Sequence, residues 1–159
     1  MKKWLLSIAA VMMVACSSID CPVNNTVATL YNILDADGQL LELSDTITVT
    51  SLRQDGTDTT LLNKLVASSE FNLPISYSHP EDILVFNIYK DSVSTMDTVW
   101  IKKDDFPHFE SVDCNATFFH QLTSVRYTTN GIDSIVINNP SVDYDYTTVH
   151  FLLYPKSSH

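Results

Sequence analysis

Short apolar runs of period two, separated by turn dipeptides, constrain this chain more than anything else in it. Thr46-Ile47-Thr48-Val49-Thr50 and Thr98-Val99-Trp100-Ile101-Lys102 alternate polar and apolar positions. That period puts the apolar residues on one face only when the backbone is extended. Ile83-Leu84-Val85-Phe86-Asn87-Ile88-Tyr89 is an almost continuous apolar run, expected as a central strand buried on both faces. Ser134–Ile137 and Val149–Tyr154 complete the clear strands, and weaker ones are expected at Thr26–Leu34, Thr59–Leu62, Glu70–Leu73, His108–Val112 and Leu122–Thr128.

All three glycines lie in Asp37-Gly38, Asp55-Gly56 and Asn130-Gly131. Such pairs supply positive φ in tight hairpins, and the pattern is cleanest at Asn130-Gly131, between Val125–Thr128 and Ile132–Ile137. No segment is a convincing amphipathic helix, although Leu61–Ala67 and Cys114–Gln121 could each make a turn or two of one. The pattern predicts an all-β, immunoglobulin-like antiparallel β-sandwich of roughly 7–9 strands.

The first residues read differently. Met1-Lys2-Lys3 is positive, and Trp4–Val14 is apolar except for Ser7. This stretch is too short to span a bilayer and fits the hydrophobic part of a secretory signal. It ends in Met13-Val14-Ala15-Cys16, which resembles the lipobox of bacterial lipoproteins, with Met13 where leucine is usual. The resemblance implies a cleaved signal over 1–15, lipidation of Cys16 with acyl chains such as palmitate, a tether over 16–25 and a single domain over 26–159. Two or more acyl chains anchor a protein stably.

Two cysteines remain, Cys21 and Cys114. Export places them in an oxidising compartment, so a Cys21–Cys114 disulfide is expected. Removing 1–15 takes only Lys2 and Lys3 from nine basic residues and leaves all nineteen acidic ones, a formal charge of −12. Such a surface repels nucleic acid and anionic headgroups.

Chemistry-bearing motifs are sparse. His79, His108, His120, His150 and His159 form no His-x-His or His-x-x-x-His pair, so no metal site and no cofactor is predicted. His120 and His150 read as packed or surface groups. Asp104-Asp105-Phe106-Pro107-His108 puts two carboxylates near a histidine, a metal-like grouping that a solvated loop explains more simply. Aligning Gly38 with the glycine of a calcium loop puts Ile33 and Ser44 where carboxylates are required, which rejects an EF-hand. The glycines leave no phosphate-cradling loop and no nucleophile elbow.

Four Asp-Ser/Thr-apolar triplets and the looser Asp58-Thr59-Thr60 resemble the O-glycosylation sequon of exported Bacteroidetes proteins. Their hydroxyls are Thr46, Thr59, Ser92, Thr98 and Ser134. The same triplet is also how a turn enters a strand. Cys16–Thr26, Leu73–His79, His108–Cys114 and Ile132–Pro140 resemble a family of small Bacteroidetes lipoproteins of unknown function, which brings no residue roles with it. The resemblance implies a cell-envelope location, with periplasmic face or cell surface undecided. Read together, these features predict a non-catalytic binding or scaffolding module held at the outer membrane by its lipid, with a protein or glycan partner. The alternatives are an accessory subunit of a periplasmic envelope assembly, or a calcium-binding domain. A cluster of exposed aromatics drawn from Tyr77, Trp100, Phe106, Phe109, Tyr144 and Tyr146 would favour ligand binding.

Overall fold

The computed structural model describes residues 27–53, 55–90 and 92–156. Cys16, Cys21, His159 and the proposed signal and tether therefore lie outside the described residues. Within them the chain forms ten strands and no helix. One sheet has the order β4-β1-β10-β8, from Glu70–Pro74, Ala28–Ile33, Val149–Pro155 and Ile132–Ile137. The other has the order β3-β2-β5-β6-β7-β9, from Thr59–Leu65, Thr46–Leu52, Glu81–Lys90, Val93–His108, Thr117–Tyr127 and Ser141–Val142. The β-sandwich expected from the sequence is present, with more strands than expected. One pairing is not antiparallel: β1 runs parallel to β10.

The core lies between the sheets. Tyr31 of β1 stacks on Phe71 of β4 at 4.9 Å and on Phe151 of β10 at 4.7 Å. It also meets Phe86 of the opposite sheet at 6.1 Å. Aromatic contacts of this kind contribute about 0.5–1.5 kcal/mol each beyond the area they bury. Ile47, Val49, Val99, Leu73 and Leu153 fill the space around them.

The Ile83–Tyr89 run was expected to be covered on both faces, and the structure covers one. Leu84, Phe86 and Ile88 are buried, while Ile83, Val85 and Asn87 are half-buried and Tyr89 is exposed. The six-stranded sheet has one face on the core and one toward solvent, as antiparallel sheets commonly do. Two other expectations are corrected. Leu61–Leu65 belongs to β3 and Thr117–Gln121 to β7, so neither candidate helix forms. His108 ends β6, and 109–116 is loop rather than strand.

Gly38 (φ 78) and Gly56 (φ 75) have the positive φ expected of them. Asp55-Gly56 connects the antiparallel pair β2–β3. Asn130-Gly131 does not form a hairpin. β7 and β8 belong to different sheets, so this dipeptide is the crossover between them. The cause is Asp97, 1% exposed on β6. Its carboxylate accepts bonds from Thr128 Oγ1 (2.7 Å), Asn130 N (2.6 Å), Gly131 N (2.6 Å) and Ile132 N (2.8 Å). Burial acts to raise this carboxyl, but the four donors outweigh it and hold it below the ordinary range. Gly131 is required for close approach: a Cβ there would collide with Thr95 Oγ1.

His150, 1% exposed on β10, performs a similar task in the other sheet. Its Nδ1 accepts the Leu30 amide at 3.0 Å. An accepting ring nitrogen carries no proton, so the ring is neutral. Burial lowers its pKa against the opposing pull of Ser141, Asp143 and Asp145.

Asp97→Ala should destabilise the domain by about 3 kcal/mol or more, since it removes four hydrogen bonds at once and leaves the buried Ile132 amide unpaired. Urea denaturation checks this. Two pH windows follow. Both groups bind protons more readily in the unfolded chain, so both contribute stability that falls with pH. His150 acts as pH drops below its unfolded value of 6.5 and Asp97 below 3.8, each costing up to about 1.4 kcal/mol per pH unit. Melting temperature against pH should fall in two stages, with the upper stage reduced in His150→Asn. An upper stage that is the same in both proteins would remove His150 as its cause.

Candidate functional site

At one end of the sandwich, β5 and β6 carry charge at inner-face positions that continue an apolar row. Asp82 precedes Leu84, Phe86 and Ile88, and Lys103 follows Val99 and Ile101. The alternation of β6 runs on from Val99 and Ile101, so Lys103 points inward. Its side chain is 0% exposed, with Nζ 3.8 Å from Asp82 and 3.5 Å from Asp105. Nζ also donates to the carbonyl of His79. Asp105 Oδ1 is hydrogen-bonded to buried His120 Nδ1 at 2.6 Å. Burial pushes the Asp82 carboxyl up and Asp105 adds to this, against the pull of Lys103, the Ser76 amide and His120.

The Asp104–His108 segment is therefore the end of a strand, not a solvated loop. Alternation sends Asp105 inward and leaves Asp104 exposed. His108 stacks on Phe119 at 4.3 Å and pairs with Glu110 at 3.2 Å. The carboxylates and histidine of the motif are thus separated. Among the described residues no group of three or more His, Cys, Asp or Glu is arranged to hold a metal ion.

The charged cluster fixes the segment joining β4 to β5. Asp82 Oδ2 accepts the Ser76 amide at 3.1 Å, and Lys103 holds the His79 carbonyl. Ser76 and Ser78 join through their hydroxyls at 2.9 Å. Between them Tyr77 projects, 65% exposed, with its ring on Phe118 of β7 at 4.7 Å and 6° from parallel. This segment walls a half-open groove of about 590 Å³. Ser51, Leu52 and Arg53 of the β2 end also line it, and Ile75, Ile83 and Leu84 supply apolar lining.

The six candidate aromatics do not share one face. Tyr77 lies at the groove. Trp100 is half-buried on the outer face of its sheet, with the Arg126 guanidinium 5.1 Å from its ring centre. Tyr144 packs edge-on against Phe119 at 4.9 Å, while Phe106, Phe109 and Tyr146 are exposed. The triplet hydroxyls also differ in setting. Thr59 and Ser92 are exposed, whereas Thr46, Thr98 and Ser134 are half-buried in strands. Cys114 is buried and is not a free thiol.

A model for a family of unknown function, DUF6452, matches residues 46–155. The chain belongs to this family. The DUF6452 match runs from the start of β2 to the end of β10, and so contains the groove, the charged cluster and Asp97 but not β1. Comparison with curated proteins and with solved structures gives no match.

Lys103→Met should destabilise the protein by about 3 kcal/mol, because Asp82 and Asp105, whose side chains are 12% and 19% exposed, lose their shared cation. Amide exchange at Ser76–His79 should quicken more than in the β1–β10 ladder. Equal change in both places would show that Lys103 supports the fold at large and not this segment.

Proposed function

We propose that this DUF6452 protein is an exported lipoprotein holding a non-catalytic binding domain at the outer membrane of a Bacteroidetes cell. The observation that carries the binding reading is the β4–β5 segment. Burying a lysine costs several kcal/mol unless it is paired, and here the buried charges secure a loop that displays an exposed aromatic beside a groove. Loops placed by a rigid scaffold are where recognition concentrates. The anchor rests on the Met13–Cys16 motif.

A Cys21–Cys114 disulfide completes the reading, since buried Cys114 is not a free thiol. It would tie the tether to the β6–β7 loop, with a stabilisation of about 4–5 kcal/mol in the chain-entropy model. Exposed Thr59 and Ser92 are the better placed of the candidate glycan acceptors. The alternative of a periplasmic assembly subunit differs in the leaflet occupied. A non-penetrating protease separates the two, cutting the chain on intact cells only if it is displayed outside.

The wild-type protein should partition into detergent and carry a mass above that of the polypeptide beginning at Cys16, whereas Cys16→Ser should stay in the aqueous phase. Cys21→Ser should make Cys114 reactive to thiol reagents after unfolding. If Cys16→Ser still partitions into detergent, the lipid anchor is refuted. Binding is checked by titrating soluble envelope extract into the isotope-labelled mature chain. Amide shifts are expected at Ser76–His79, and a spectrum without change would refute the binding reading.

A further inference from the structure

We infer that the groove is a carbohydrate site, taking a neutral oligosaccharide with one pyranose ring laid on the free face of Tyr77. This rests on the binding reading above and specifies its ligand. Phe118 covers one face of Tyr77 in a near-parallel stack, yet the tyrosine is 65% exposed. Tyr77 also belongs to the groove lining, so its uncovered part is available to a ligand there. A ring held before the ligand arrives loses little further freedom on binding.

A pyranose has a flat face of C–H bonds and a rim of hydroxyls. It calls for one aromatic surface with donors and acceptors around it. Besides Tyr77, the groove lining supplies Ser51, Ser76, Ser78, His79 and Arg53. Its volume of about 590 Å³ falls within the roughly 300–1,000 Å³ of small-ligand sites.

Charge argues against a cationic ligand. The three carboxylates of the lining are already engaged: Asp82 with Lys103 and Ser76, Glu81 with Arg126 at 3.0 Å, and Asp55 with Thr57 at 2.6 Å. Backbone geometry argues against a peptide adding itself as a strand. That mode needs a continuous row of free backbone groups at a sheet edge. The two edge strands on this side are β3 and β4. β3 shifts register twice against β2 and has Lys64 at φ 51. β4 is five residues long and ends in Pro74, which has no N–H.

The test is a chemical-shift titration of the isotope-labelled mature chain with short α-glucan, β-glucan, xylan and mannan oligosaccharides, and separately with a pool of neutral peptides. At least one oligosaccharide should shift Ser76–His79 and the Tyr77 ring protons. Tyr77→Ala should weaken that binding about tenfold, while Tyr77→Phe should retain it, because stacking does not need the hydroxyl. Both variants should keep the wild-type β1–β10 amide pattern, separating lost binding from lost folding. Silence toward every oligosaccharide overturns the carbohydrate assignment, as does binding that Tyr77→Ala leaves intact. If envelope extract or peptides still shift the groove in that case, the binding reading survives; if nothing does, both fall.

Discussion

One carboxylate decides how the two sheets are joined. Asp97 sits in a strand of the six-stranded sheet, and its four hydrogen bonds reach 31 to 35 residues along the chain. They seize the backbone as it leaves β7 and turn it toward the opposite layer. Without them, the Asn-Gly pair would be free to fold β8 back beside β7. That arrangement would leave Ile132 and Ile135 without their places in the core, since both are buried against the other sheet. A buried carboxylate is costly unless satisfied. Here four donors satisfy it, and in return it pairs the buried amide of Ile132, so the two needs are met together.

The opposite balance holds at the groove. Lys103, Asp82, Asp105 and His120 occupy inner-face positions that hydrophobic residues fill farther along the same strands. Well-packed apolar residues in place of such a group are often neutral or stabilising. The cluster therefore adds little to the cohesion of the sandwich that leucines could not. Its particular effect is directional: it grips one carbonyl and one amide of the β4–β5 segment.

Much of the fold was legible because alternation of β-branched and aromatic residues is a local signal. The Thr46–Thr50 and Thr98–Lys102 patterns translate into faces as expected, with Ile47, Val49, Val99 and Ile101 inside. What escaped the reading depends on distant partners. Thr117–Gln121 is strand because it pairs with Asp104–His108. Asn130-Gly131 crosses between layers because of a residue 33 positions earlier. The β5–β6 hairpin has Ser92 at φ 68 and no glycine to announce it. At the site, Tyr77 was singled out, but its support was not. Lys103 stands in Lys102-Lys103-Asp104-Asp105, four charges in a row that mask the alternation continuing from Val99 and Ile101 into Lys103. Asp97 opens an ordinary Asp-Thr-Val triplet, and its role in joining the layers is not written in its neighbours.

The first strand lies in the middle of its sheet, bonded to β4 on one side and parallel to the last strand on the other. Tension delivered through the chain preceding Val27 is therefore directed along β1. It loads both hydrogen-bonded ladders in shear, many bonds at once, rather than peeling them apart one by one. Tyr31, wedged between Phe71 and Phe151, resists the same displacement. Along β1 such a pull meets two ladders at once, where an edge strand such as β4 would offer one.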